Sequence, residues 1–241
     1  MAEIQLGAMA VEVELKDIKH IHLSVYPPDG KVRIAAPLHM DLDTIRVYAV
    51  SKLNWVKRQQ EKFLRQQRQS PQDFISRESH YFQGKRYLMR VTELDAPSQV
   101  QLKHKTMVLQ VRPGADARKR REVLDEWYRA RLKELLPPLI RQWEERLEVE
   151  VAEFGIKKMK TKWGSCQKDA KRIWLNLELA KKPPECLEYV LVHEMAHLLE
   201  RRHNLRFVTL LDSWLPKWRL IKETLNRLPV GYEEGNANKK L

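Results

Sequence analysis

The sequence has little cysteine, little glycine and no long apolar run. Its 241 residues include two cysteines, Cys166 and Cys186, too few for a disulfide framework and typical of a reducing compartment. The first ten residues lack the basic and apolar segments of a secretory signal, and no apolar run approaches the roughly 20 residues that span a bilayer. None of the eight glycines forms a glycine-rich phosphate loop. We therefore expect a cytoplasmic protein with no membrane partner.

Charge, in contrast, is abundant. Lys and Arg number 45 against 32 Asp and Glu, which gives a formal net charge of +13. A charge of this size attracts polyanions and phosphorylated ligands. The excess is spread along the chain and is not gathered in a tail, so we favour a role in solubility over nucleic-acid binding, which it supports only weakly.

Hydrophobic periodicity predicts an α+β fold. Period-2 alternation and short apolar runs between turn residues indicate strands, whereas apolar residues spaced three or four apart indicate helices. The predicted strands are 11–15, 21–26, 32–36, a hairpin within 81–87, 100–102, 107–111, 156–161 and 172–177. The predicted helices are 41–69, 118–147 (which two consecutive prolines at 137 and 138 could interrupt), 185–200 and a pair separated near residue 216.

The turn-forming segment Pro113–Asp116 is the clearest break along the chain. We expect a strand-rich region with one long helix over residues 1–112 and a mainly helical region over 113–230. The remaining residues, 231–241, form a polar tail. No internal repeat is evident.

The strongest chemical signal is an H-E-x-x-H pattern at His193, Glu194 and His197. A helix turns about 100° per residue, so side chains four residues apart lie on one face, one turn apart. Both imidazoles can then bind one metal ion, and Glu194 can take a proton from a water molecule that the metal activates. The alternative is a pair of hydrogen-bonded histidines on a buried helix. The pattern favours a metal centre.

A catalytic zinc needs a third protein ligand, and two residues qualify. His203 lies six residues after His197 and can join only if the helix ends near residues 200–202 and the chain turns back. The polar run Glu200–Asn204 suits such an end. Glu223, on a later helix, is the alternative. We favour His203 and leave open whether Glu223 replaces or assists it.

A basic segment with a tryptophan precedes this motif. Gly164 permits close backbone approach, and the flanking strand could offer a free edge to an extended ligand. We predict that Lys162, Trp163, Gly164 and Ser165 bind substrate, the alternative being a solvated basic hairpin. Cys166 has no base near it in the sequence, which favours a small buried thiol over a nucleophile.

Together these motifs resemble the YgjP-like zinc metallopeptidase family. The resemblance rests on the Trp163–Cys166 segment, the strand Ile173–Leu177, the residues His193, Glu194, His197 and His203, the stretch Asn204–Phe207 and the helix with Trp214 and Trp218. One departure is Lys162, where the family usually has arginine, so that the charge is kept but bidentate geometry is lost.

The resemblance implies that residues 113–230 form a zincin-like metallohydrolase region with an active-site helix and a gluzincin-like core. It also implies one Zn²⁺ per chain and a peptide or protein substrate. A nucleotide pyrophosphatase activity on UTP has also been attached to the family. Related SprT-like proteases act on DNA-bound proteins, which would suit a basic chain.

Three functions therefore stay open. The first is a zinc peptidase with Glu194 as general base and an edge strand near Trp163 that aligns the peptide. The second is a metal-dependent nucleotide hydrolase in which Lys158, Lys160, Lys162 and Arg172 hold phosphates. The third is a binding protein with a structural metal. A glutamate beside the ligands argues against the third function, and the lack of a glycine-rich loop argues against the second.

Overall fold

The computed structural model describes residues 2–7, 9–26, 30–65, 72–159 and 162–228. The predicted tail over 231–241, the turn residues 27–29 and the last part of the predicted helix 41–69 lie outside the described residues. In the part that is described, no helix combines the length and apolar character needed to cross a membrane. The chain divides into two compact units, Met1–Gln67 and Arg68–Leu241.

The first unit is a four-stranded sheet with two helices packed on it. Its elements are β1 (Ala2–Leu6), β2 (Met9–Lys16), β3 (His22–Tyr26), β4 (Lys31–Pro37), α1 (Leu42–Ser51) and α2 (Leu53–Arg65), and the strand order is β1-β2-β4-β3. Alternate strand residues, such as Val13 and Ile34, are buried against Ile45 of α1. The single helix predicted over 41–69 is broken at Lys52, whose N–H closes the last turn of α1 on the Ala49 carbonyl.

The second unit contains two sheets and four α-helices in its described part. Its first sheet comprises β5 (Ser79–Phe82), β6 (Lys85–Glu93), β7 (Gln99–Lys103) and β8 (Thr106–Val111), in the order β5-β6-β8-β7. The remaining elements are α3 (Ala117–Leu147), β9 (Glu153–Lys157), β10 (Gly164–Gln167), β11 (Arg172–Asn176), a 3-10 helix (Leu177–Lys181), α4 (Pro184–Leu199), α5 (Leu205–Trp214) and α6 (Trp218–Arg227). This arrangement confirms the α+β class.

The two four-stranded sheets share one topology. In each, two antiparallel hairpins are joined through a parallel pair of their inner strands, β2 with β4 and β6 with β8. The sequence shows no repeat because the common feature is the pairing pattern, which different apolar residues can satisfy.

The boundary between the two compact units lies after Gln67, whereas the sequence predicted a boundary at residue 113. Met107 and Leu109 of β8 lie in the same buried cluster as Leu124 and Tyr128 of α3. The second four-stranded sheet therefore belongs to the same unit as the helices that follow it. The segment Pro113–Asp116 changes the type of secondary structure without starting a new core.

Helix α3 runs without a break through Pro137 and Pro138, so the predicted interruption is wrong. Each proline removes one helical hydrogen bond and crowds the preceding turn. Leu136, Ile140 and Trp143 remain buried at helical spacing on both sides of the pair. Tertiary packing of this face holds the helix where local propensity disfavours it.

The small sheet β10-β11-β9 carries the elements nearest the histidines. Strand β11 pairs in parallel with β9 and antiparallel with β10, which leaves β10 at an edge. Ile173 and Leu175 of β11 are fully buried in the main core. The segment Trp163–Cys166, which lies between two predicted strands, thus supplies an edge strand from Gly164 onward.

On the other face of this sheet, Trp174 lies over Gly155. A Cβ added at residue 155 would stand 2.1 Å from Cζ3 of Trp174. The Lys157 ammonium lies 3.3 Å from the centroid of the Trp174 ring, so the ring contacts both a glycine and a cation.

We expect Gly155→Ala to destabilise the protein by about 1–3 kcal/mol, because the Trp174 ring must leave this position. Urea unfolding would measure the change. In a Trp174→Leu background the same substitution should be neutral or stabilising, since alanine is otherwise preferred to glycine in a strand. An equal loss of stability in both backgrounds would contradict the explanation.

Candidate metal centre

His193 and His197 lie on one face of α4, which is a buried helix. It begins at Pro184, where the missing N–H costs nothing, and buries Leu191, Met195 and Ala196 completely. The observed bounds agree closely with the predicted helix 185–200. Rigid burial of this kind fixes the side chains of one helical face relative to each other.

Helix α4 ends at Leu199, early enough for a third ligand to come from the turn that follows. Glu200 has an extended backbone, and its N–H bonds to the Ala196 carbonyl at 2.9 Å. The chain then turns, and Asn204 caps α5 by accepting the Phe207 N–H at 3.0 Å. His203 lies within this turn and so returns toward α4.

The three histidines converge through their Nε2 atoms. His203 Nε2 lies 3.0 Å from that of His193 and 3.1 Å from that of His197, and the possible ligand atoms all lie within 4.8 Å of one another. Tetrahedral nitrogen ligands at the usual zinc distance would be about 3.3 Å apart. Two of the three pairs are close to that separation, so the three imidazoles could together hold a divalent metal ion.

The protonation of the imidazoles also suits a metal. The Glu200 carbonyl can only accept a hydrogen bond, so at 3.1 Å it fixes the proton of His197 on Nδ1 and leaves the Nε2 lone pair free. Burial, aided by the neighbouring imidazoles, lowers the pKa of His193 to about 3 and also lowers the pKa of His203. Both rings are thus neutral, as metal ligands must be.

One aromatic ring contacts all three histidines. The ring centroid of Phe207 lies 5.0, 4.8 and 4.7 Å from those of His193, His197 and His203, and Phe207 is almost completely buried. Phe207 therefore restricts the orientation of every candidate ligand. Phe207 ends the stretch Asn204–Phe207, on which the family resemblance partly rests. No role for it could be predicted from the sequence, because its contacts depend on the turn at residues 200–204.

A second aromatic layer supports His193. The ring of Tyr189, one turn earlier in α4, lies 5.8 Å from that of His193, and Trp218 of α6 stacks on Tyr189 at 6.2 Å. The Nδ1 atom of His193 is buried and has no hydrogen-bond partner in the described part of the chain. On the Nδ1 side, therefore, aromatic packing and not a hydrogen bond to a described residue orients this ring.

Glu194 occupies the cleft between α4 and the edge strand. A Cβ added at Gly164 would lie 2.7 Å from its Cγ and 2.8 Å from its Oε1. The Glu194 side chain is 7% exposed, and burial raises its pKa to about 7, against the opposing charge of Lys162. Gly164 was expected to permit a close approach, and the group that lies against it is the Glu194 carboxyl.

The four predicted substrate-binding residues have different surroundings. Gly164 lies against Glu194, and Lys162 is close enough to influence its charge. The side chain of Ser165 is directed to the opposite face of β10, because successive strand residues alternate. Trp163 packs partly into the core, with the Lys182 ammonium 5.7 Å from its ring centroid. Of the four, Lys162 and Gly164 therefore lie near Glu194.

The half-buried Cys166 agrees with the expectation of an unreactive thiol. Burial, together with the nearby Glu194, raises its pKa to about 11. The thiolate form that a nucleophile requires is therefore disfavoured at neutral pH.

Helix α6, which carries the alternative third ligand Glu223, places a cation near the histidines. Glu223 of α6 is exposed and pairs with Arg227, and it is not part of the histidine cluster. Its neighbour Lys222 acts electrostatically on His193 and His203, and its ammonium lies 5.5 Å from the Trp218 ring. This influence of Lys222 could not be predicted from the sequence, because the position of Lys222 depends on how α6 packs on α4.

Residues 19–228 match the family described as YgjP-like, metallopeptidase domain. Comparison with curated proteins finds no match. The matched range includes the whole of α4, the histidine cluster and the edge strand β10, and the family implies a metallopeptidase-type hydrolase that uses a divalent metal. The chain therefore belongs to the YgjP-like metallopeptidase family.

Proposed function

We propose that this protein is a zinc-dependent peptidase. In this proposal His193, His197 and His203 hold the metal, and Glu194 is the general base. The observation that carries it is the convergence of three imidazole Nε2 atoms next to a buried carboxyl group. A purely structural metal would not need that carboxyl group, so its position favours catalysis.

When bound, zinc would supply a Lewis acid for the scissile carbonyl and lower the pKa of water. A Glu194 oxygen takes a proton as the water oxygen bonds to the carbonyl carbon. The same carboxyl then gives that proton to the amide nitrogen as the carbon–nitrogen bond breaks, leaving an acid and an amine. A pKa of about 7 before any metal is bound suits a group that must accept and return a proton.

Strand β10 is suited to hold an extended peptide. Among the described strands it pairs only with β11, so its other edge has free backbone donors and acceptors. A peptide added at this edge would pass Glu194, because Gly164 contacts that side chain. The absence of a side chain at residue 164 leaves room for the base.

Nucleotide hydrolysis is the weaker alternative because its expected cations are engaged elsewhere. Lys158 pairs with Asp125, and Arg172 pairs with Glu153 at 2.5 Å. Lys160 lies outside the described residues, which leaves Lys162 as the one member of that set shown near Glu194. The set expected to hold phosphates is therefore not assembled among the described residues.

Replacing the base tests the mechanism directly. Glu194→Gln keeps the shape of the side chain but cannot accept the proton, so we expect peptide hydrolysis to fall by about 10²–10⁴-fold. Zinc content, measured by elemental analysis, should stay stoichiometric. Glu185→Gln, an exposed change on the same helix, is the control and should leave the rate unchanged. Full activity of Glu194→Gln on peptides and on UTP alike would exclude this mechanism.

The third ligand can be identified from metal content alone. His203→Ala should lose stoichiometric zinc because it removes one of three converging nitrogen atoms. Glu223→Ala should retain zinc, since this carboxylate pairs with Arg227. Retention by the first variant together with loss by the second would show that Glu223 is the ligand.

A methyl group at residue 164 should displace the base without removing the metal. We expect Gly164→Ala to keep its zinc and to lose about 10- to 100-fold in kcat, because a displacement of about 1 Å is costly in an active site. Gly114→Ala is the control. Its added methyl group meets nothing within 4 Å, but its φ of 75° strains an alanine, so it tests whether a loss of stability without the Glu194 contact lowers kcat. We expect it to keep both its zinc and its kcat. A normal kcat for Gly164→Ala would show that the contact does not position the base.

A further inference from the structure

Asn176, the last residue of β11, is a buried amide whose polar atoms are all engaged. Its Nδ2 donates to the carbonyl oxygens of Met159 and Lys162, each at 2.8 Å. Its Oδ1 accepts the N–H of Glu178 at 3.2 Å and the N–H of Met159 at 3.4 Å. The side chain is 2% exposed, so no bulk water can replace these bonds.

These bonds join three parts of the chain that meet beside the candidate site. One is the segment after β9, held at Met159 and Lys162. Another is the start of the edge strand, where the backbone N–H of Asn176 donates to the Trp163 carbonyl at 2.8 Å. The third is the first turn of the 3-10 helix, which Asn176 caps and which leads into α4.

We infer that Asn176 is a positioning residue that holds Lys162 and the beginning of β10 in place, so that Gly164 lies against Glu194. The inference rests on the proposed function, and it explains how the edge strand β10 is held in its position against Glu194. The two Nδ2 bonds clamp the segment that enters β10, and Gly164 is the second residue after the clamped carbonyl of Lys162.

The amide is the chemical group that these surroundings require. An amide offers two N–H donors and one acceptor oxygen from a single planar group. A carboxylate of the same size keeps the acceptor but has no donor, and it would face two carbonyl oxygens in a buried setting. A hydroxyl group has one donor and a shorter reach.

Substitution of Asn176 can therefore remove its two bonds to the Met159 and Lys162 carbonyls, here called the clamp, without removing the helix cap. Asn176→Asp keeps an oxygen that can accept the Glu178 N–H, and aspartate is as good a cap as asparagine. It loses both bonds to the Met159 and Lys162 carbonyls. Asn176→Ala loses the cap and the clamp together, and Asn176→Ser is a milder variant should either of the others fail to fold.

The experiment compares these variants in the full chain by amide hydrogen exchange, zinc content and steady-state kinetics on an extended peptide. For Asn176→Asp we expect at least tenfold faster exchange of the amides within 162–167, with exchange in α4 and the zinc content unchanged. We also expect kcat/KM to fall by about 10- to 100-fold. Asn54→Asp, which adds the same charge at an exposed position in α2, should change none of these quantities.

The exchange result does not depend on whether the protein is a peptidase. If wild-type protein cleaves no peptide but Asn176→Asp still loosens 162–167 selectively, the proposed function fails and the clamp stands. Unchanged exchange in 162–167 would overturn the clamp. Faster exchange throughout α4 with loss of zinc would show a general role in folding. Faster exchange of 162–167 with unaltered kcat/KM would show that the clamp does not serve the site.

Discussion

The contact between Glu194 of α4 and Gly164 of β10 is the constraint on which the candidate site depends. A buried helix and an edge strand approach so closely that no side chain fits at residue 164. That approach removes the Glu194 carboxyl from water and raises its pKa to about 7. It also places the free edge of β10 beside the group that would act on a bound peptide. Burial of the proposed base and access of the proposed peptide substrate thus depend on one packing contact.

Much of the site could be predicted because its signals are local. Residues four apart on a helix share a face, so His193 and His197 had to converge once the helix formed. The return of His203 followed from the polar end of that helix, and the structure ends α4 at Leu199. The need for a glycine near the site was also visible, although what it contacts was not.

What could not be predicted depends on contacts between distant segments. Phe207 reaches three histidines only because the chain reverses after Glu200, and Lys222 acts on them only because α6 packs on α4. The bonds from Asn176 to the Met159 and Lys162 carbonyls have no local signal, since these partners are 17 and 14 residues away. The two prolines of α3 were misread for the same reason: buried residues on either side hold the helix, and local propensity does not record them.

Burial accounts for the opposite pKa shifts in this site. Removal from water disfavours the charged form of any group, so it lowers the pKa of His193 and raises that of Glu194. The aromatic wall of Phe207 and Tyr189 therefore helps to keep His193 neutral as well as oriented. Neutral imidazoles are competent ligands for a cation, whereas imidazolium groups would repel it. The apolar surroundings that disfavour a second proton on His193 therefore also suit it to bind a metal.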